Sequence, residues 1–285
     1  MPPVALGMLI AAAILHASWN LLVKQAQERQ IFTWWSLVVG SICFLPLLAL
    51  GPSLPGRIWP YVLASALAET AYFFALVRAY SLGDFSLVYP IARGTAPAFL
   101  AVWATIFLHE RPNRFGLLGI AILVVGLIVV GSGAWLARRG AVQVSGAAIA
   151  AALLVALCIS TYTTIDGAAV RIASPISYTV AIIGLSAIFA TPAILARYPM
   201  RAVTAEWRAN WPRIIGVGVL NLGTYMLVLA AYARARVGYA GAVREISVVV
   251  AALIGWRFLG EPFGANRTLG SILIFIGIIV IAALG

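Results

Sequence analysis

Runs of apolar residues long enough to cross a lipid bilayer follow one another along almost the whole chain. They occupy residues 4–23, 31–50, 58–80, 87–108, 115–131, 146–162, 175–196, 214–232, 237–259 and 269–284. A spanning helix needs about 20 mainly apolar residues, so each run is a candidate span. The breaks between them are polar or turn-forming, and the longest, 197–213, is basic. No open sheet can leave unpaired backbone groups in lipid, and the runs lack the alternation of barrel strands. The expected fold class is an all-α membrane protein with ten transmembrane helices. Only 9% of the 285 residues are charged, against about 25% in soluble domains, which is too few to clothe a water-facing surface.

The chain still carries a net charge of +11. Its basic residues sit in the connections, as in membrane loops, and not on one face or tail as a nucleic-acid surface requires. They favour the connections after odd-numbered spans, Lys24, Arg29, Arg138, Arg139, Arg197, Arg201 and Arg208 among them. The positive-inside rule then puts both termini on the outer side. Cys43 and Cys158 lie inside apolar runs and read as small hydrophobes. His16 and His109 have no metal-ligand spacing around them, so neither a metal nor a cofactor is expected. Trp34, Trp35, Trp59 and Trp211 stand at span ends, the place of interfacial anchors.

An internal repeat runs through the chain. A slide of 151 residues lays Arg93 on Arg244, Leu108 on Leu259, Glu110 on Glu261, Gly119 on Gly270 and Gly126 on Gly277. One residue more brings Ala79-Tyr80 onto Ala231-Tyr232 and Glu69 onto Asn221. Chance supplies glycines readily, but not an intramembrane arginine and a loop glutamate at one offset. The units are residues 1–131 and 146–285, joined by a linker loop at 132–145. Five spans is an odd number, so consecutive copies enter the membrane from opposite sides as two inverted five-helix repeats. Transporters place a central site at such an interface and rock about it.

Charges within the spans mark the expected site, because each costs about 2.5–3.5 kcal/mol at the bilayer centre on the insertion scale. Glu69 sits mid-span, where it must be protonated, paired or facing a wet cavity. Arg93 lies between Pro90 and Pro97, whose freed carbonyls favour a kinked, polar-lined helix. Arg244 occupies the repeated position and is followed by Glu245. Two such guanidinium groups near a pseudo-two-fold axis suit a carboxylate, phosphate or phosphonate. The structural alternative is that both snorkel to the interface or are neutralised by Glu69 and Glu245. His16, Trp19 and Asn20 share one face of the first helix. The sixth run repeats that theme with Cys158, Thr161, Tyr162 and Asp166, and Tyr72, Asn221 and Tyr225 follow the same spacing. The expected substrate-binding set is His16, Trp19, Asn20, Glu69, Tyr72, Arg93, Tyr162, Asn221, Arg244 and Glu245. Aromatic walls with scattered charges fit an organic solute better than a bare ion.

Three stretches carry a family resemblance. Leu-His-Ala-Ser-Trp-Asn at 15–20, Tyr-Pro-Ile-Ala-Arg-Gly-Thr-Ala-Pro at 89–97, and the paired Leu-x-Glu loops at Leu108–Glu110 and Leu259–Glu261 resemble the EamA branch of the drug/metabolite transporter superfamily. The resemblance covers the whole chain as two EamA-type units. It implies ten helices, a cavity between the halves and alternating access. Relatives of ten spans keep both termini in the cytoplasm, opposite to the side favoured by the charge count. In the small multidrug resistance proteins of this superfamily the membrane glutamate is on the first helix; here that helix has His16, and Glu69 is on the third.

The expected function is secondary transport of amino acids, by default, or of other organic anions and zwitterions, in the exporting direction, across the plasma membrane (the inner membrane of a bacterium). Arg93 and Arg244 would hold the acidic group, Glu69 or Glu245 would meet an amine or carry a coupled proton, and His16 could report that coupling. The expected partners are a small-molecule substrate and the lipid bilayer, with the chain a monomer or homodimer. The rival readings are a flippase for a polyprenyl- or lipid-linked headgroup and a membrane-embedded enzyme. Against the enzyme stand the missing His-Glu-x-x-His, paired-aspartate and P-loop motifs.

Overall fold

The computed structural model describes residues 1–24, 26–82, 85–137, 145–250, 253 and 265–285. Ten α-helices and no strand occur among them: α1 Pro3–Lys24, α2 Arg29–Leu50, α3 Trp59–Leu82, α4 Phe85–Phe107, α5 Arg114–Ala137, α6 Gly146–Ala169, α7 Pro175–Arg197, α8 Met200–Tyr232, α9 Val237–Arg244 and α10 Ala265–Leu284. α1, α2, α3, α6, α7 and α8 are long and apolar enough to cross a membrane by themselves. α4, α5 and α10 carry apolar stretches at Ile91–Phe107, Arg114–Val130 and Thr268–Leu284. The chain is a multi-pass α-helical membrane protein.

The structure departs from the sequence reading at four places. The basic connection 197–213 is mostly helix, because only Tyr198-Pro199 interrupts it before α8 begins at Met200. At 33 residues α8 is about 50 Å long, well beyond a hydrocarbon core of about 30 Å. Its first turns hold no glycine and bury Val203 and Glu206, with Trp35 Nε1 donating to the Val203 carbonyl at 3.0 Å. The sixth helix continues seven residues past Tyr162 and so takes Asp166 into the protein interior. Trp34 and Trp35 are packing residues: Trp34 is buried and donates to Thr191 Oγ1 at 3.0 Å, whereas Trp59 and Trp211 are exposed. The ninth run is not one uninterrupted helix, since regular helical bonding stops at Glu245 and resumes over 246–250. Glu261, its Leu259 neighbour and residues 138–144 of the expected linker lie outside the described residues; 132–137 belong to α5.

α3 packs on α6 and α7, α1 on α8 and α9, α2 on α7 and α8, and α4 on α5, α6 and α9. The most extensive seam joins α5 to α10. Along it Gly119 lies against Gly277 and Gly126 against Gly270, so the helices run antiparallel. Small residues let membrane helices approach to backbone contact, where dispersion and weak polar contacts replace the hydrophobic drive that lipid cannot supply.

One end of the bundle gathers Met1, the α4–α5, α6–α7 and α8–α9 connections and Gly285, which line a cavity of about 470 Å³ with Arg171, Arg234, Arg236 and Tyr239. This is the terminal face. Glu110 ties it together. His109 turns the chain after α4 with a left-handed φ of 53°, and the Glu110 carboxylate then meets the start of α9. Oε1 accepts from Val237 N (2.7 Å) and Arg171 Nη2 (2.8 Å), and Oε2 from Gly238 N (3.0 Å). An acid at a helix N-terminus satisfies orphan amides and meets the positive end of the helix dipole. Glu110→Ala strands two buried amides, so we expect it to cost about 1–3 kcal/mol. The melting temperature in detergent checks this, and Glu110→Gln should recover part of the loss.

Candidate functional site

Arg93 lies eight residues into α4 and Arg244 seven into α9, about 10–12 Å along each axis. α4 ends at the terminal face and α9 begins there, so the two arginines approach the middle from opposite faces. They meet at Glu245. Arg93 Nη1 stands 3.4 Å from Glu245 Oε1 and Arg244 Nη2 3.9 Å from the same oxygen. The Glu245 side chain is 2% exposed, while those of Arg93 and Arg244 are 17% and 14% exposed. Glu245 Oε2 is buried and has no hydrogen-bond partner among the described residues. At 3.9 Å the Arg244 contact is an ion pair without a hydrogen bond. Two guanidinium groups against one carboxylate leave the trio one positive charge in excess.

The local sequence explains why this acid stands here. Val237–Val243 is entirely buried and rich in small residues, which seats α9 against α1 and α4. At Glu245 the backbone amide turns to the Ala242 carbonyl, three residues back (3.1 Å), and the Val248 amide bonds the Glu245 carbonyl. α4 runs helical from Phe85 to Phe107 through both of its prolines.

The other expected residues divide. His16 stacks edge-on against Trp19 at 4.8 Å and lies within electrostatic range of both Arg93 and Arg244. Tyr72 and Tyr162 form a second edge-on pair at 6.0 Å, and Tyr162 senses Arg93, Arg244 and Glu69. His16, Glu69, Tyr72, Arg93, Tyr162 and Arg244 therefore gather with Glu245 around one polar centre. Glu69 does not neutralise an arginine by direct contact; its Oε2 accepts from Ser186 Oγ at 3.0 Å. Trp19 leans toward the cluster of Phe32, Ile214 and Val217 on α2 and α8. The Asn20 amide donates to the His16 carbonyl of its own helix at 2.7 Å. Asn221 is half-buried on α8, and no described contact joins it to the centre.

A second polar group lies beside the first. Asp166, fully buried, accepts at Oδ1 from Ser65 Oγ (2.5 Å) and Tyr178 Oη (2.8 Å), and at Oδ2 from Tyr225 Oη. Its donors come from α3, α7 and α8. Ser65, Glu69 and Tyr72 form one stripe on α3 that runs from Asp166 toward the arginines. The expected ligand set omitted Asp166, Ser65, Tyr178 and Ser186. Asp166 carried a signal, an acid just beyond an apolar run, but hydroxyl partners have none. Tyr232 lines both the terminal cavity and the inner group, within electrostatic range of Arg244 and Glu245.

Comparison with known proteins agrees with this architecture. The model of the EamA-like transporter family matches residues 4–132 and again 146–283. The chain belongs to the EamA-like transporter family. An uncharacterized transporter from the cobO 3' region of Sinorhizobium sp is 32% identical to this EamA chain over 77 residues, which are 27% of this chain and 54% of that protein. The match thus spans about half the length of that relative. A solved crystal structure superposes on 99% of the chain and 99% of its own length with a TM-score of 0.78. Its identity is 17%, so that likeness concerns the fold of the EamA chain alone.

Proposed function

We propose that this EamA protein carries a small organic zwitterion or anion, amino acids first, by alternating access between two inverted five-helix halves. The observation that carries the reading is the Arg93–Glu245–Arg244 trio, with its excess positive charge and the unpartnered Glu245 Oε2. A carboxylate would take hydrogen bonds from the Arg244 guanidinium group, and an ammonium group on the same solute would meet Oε2. Tyr72, Tyr162 and His16 would wall it. Export is the direction we expect.

The helix packing supports the inverted arrangement. Replacing α1–α5 by α6–α10 and the reverse turns the α3–α6 contact into α8–α1 and α2–α8 into α7–α3. It returns α2–α7, α4–α9 and α5–α10 to themselves. Gly119 and Gly126 correspond by repeat to Gly270 and Gly277, yet each packs on the other's counterpart, as an antiparallel pair about a two-fold axis requires.

Ligand-induced stabilisation of the purified protein tests the reading, because a ligand that binds the folded state raises its melting temperature by mass action. Amino acids or phosphonates should stabilise it more than organic cations do, and Glu245→Gln should weaken zwitterions more than simple anions. Cations that outperform both would sink the arginine argument. Movement of a lipid-linked headgroup without flux of soluble solute would favour a flippase.

A further inference from the structure

We propose that Asp166 is a proton-binding centre through which this carrier couples solute movement to a pH gradient. The proposal rests on the carrier reading above and adds a site that the arginine trio does not use. The geometry has three parts. Asp166 is fully buried, and its two oxygens accept three hydroxyl donors, from Ser65, Tyr178 and Tyr225. An ionised carboxylate only accepts hydrogen bonds, whereas a protonated one also donates. One proton bound at Asp166 thus removes one negative charge and creates an O–H that needs an acceptor, and a neighbouring hydroxyl supplies one when it turns its own hydrogen away.

An alternative acceptor is already placed: the Tyr178 hydroxyl stands 3.5 Å from the Tyr61 carbonyl. Ser186 likewise has the Ala66 carbonyl at 3.4 Å besides Glu69 at 3.0 Å. Loading and release would therefore alter the ties among α3 of the first half and α6, α7 and α8 of the second. When the halves rock against each other, α3 moves relative to α6, α7 and α8, which links the proton to the state of the carrier.

The spacing favours a proton over a metal ion. Oxygens 2.5–2.8 Å apart are directly hydrogen-bonded, and hydroxyls already turned toward the carboxylate leave no gap for a cation between them. The ionisable and charged groups facing Asp166 are Glu69 on α3, Tyr178 on α7, Tyr225 and Tyr232 on α8 and Arg244 on α9. Tyr162 lies one turn back on α6, within electrostatic range of Arg93 on α4. Asp166 is three residues from the end of α6 at the terminal face, whereas Glu69 is ten residues into α3. Asp166 accordingly stands between that face and the polar centre.

Two measurements on the full chain test this. In pH-jump infrared difference spectra of the protein in nanodiscs, without solute, a protonated-carboxyl band should vanish in Asp166→Asn. The same band should shift in Tyr178→Phe and Ser65→Ala, which serve if the first variant does not fold. In proteoliposomes given a labelled amino-acid mixture, one polarity of an imposed pH gradient should drive accumulation of up to about tenfold per pH unit for one coupled proton. Asp166→Asn should lose that accumulation and the pH dependence of exchange, whatever exchange rate remains. A band untouched by all three variants, or gradient-driven accumulation by folded Asp166→Asn, overturns the proposal. A parent protein that exchanges no amino acid refutes the amino-acid reading instead, and the infrared result then decides the proton site alone.

Discussion

Alanine in place of Arg244 is expected to abolish ligand-induced stabilisation and to cut solute flux by about thirtyfold or more. Truncating one partner of a buried charge pair costs about 2–5 kcal/mol, and each 1.4 kcal/mol is about tenfold in affinity. Glu245 stands between two guanidinium groups, and Arg244 contacts it without a hydrogen bond, so its donors remain for a ligand. The variant leaves Arg93 paired with Glu245 at 3.4 Å and takes away the excess positive charge. Arg244→Lys should recover only part of the affinity, because an ammonium group restores the charge but not the planar fork. Flux in proteoliposomes, with melting temperature as the folding control, separates the outcomes. Parental flux in folded Arg244→Ala would mean that the solute binds elsewhere.

Leucine at Gly126 should prevent the fold from assembling. A Cβ there would stand 2.8 Å from the Gly270 carbonyl oxygen and 2.8 Å from the Ile274 amide nitrogen. Both are backbone atoms, and backbone cannot rotate out of the way. Gly119 faces the Gly277 oxygen at 2.9 Å in the same manner. Gly126→Ala alone should cost about 1–3 kcal/mol by overpacking, and the longer side chain should separate α5 from α10. Gly7→Ala is the control, since nothing stands within 4 Å of the added carbon. Size-exclusion profile and melting temperature in detergent read the result. Equal behaviour of Gly126→Ala and Gly7→Ala would contradict the glycine seam.

Much of the fold is legible in the sequence because its physical cause is local. A stretch of apolar residues in lipid must satisfy its own backbone, and a helix is the way to do so. That reasoning placed the helices near their observed positions. It failed at 197–213, where composition suggested a loop. Arginines are good helix formers, and burial of Val203 needed partner surfaces on α2 and α7 that composition does not contain. The same reasoning ended the sixth helix at Tyr162 and so left Asp166 outside the expected ligand set.

The candidate site was legible only in part. Arg93, Arg244 and Glu245 stood out as charges in apolar runs, which solvation energy makes expensive. Their partnership was among the alternatives, as was a pairing of Glu69 with an arginine, but Glu69 bonds Ser186. Asn20 looked like a cavity residue by its spacing, yet its amide bonds the carbonyl four residues back. Spacing says which residues share a face, not which helix that face meets.

The sequence by itself determined that the chain lives in a membrane, that its spans are helices, and that charged groups recur at matched positions deep within them. Those conclusions depend on hydration and on distance along one chain. Only the tertiary structure decided that Glu245 lies between two arginines, that Glu110 caps α9, and that three hydroxyls converge on Asp166. Each depends on how separate helices rotate against one another, and close packing sets that rotation through contacts far apart in the chain.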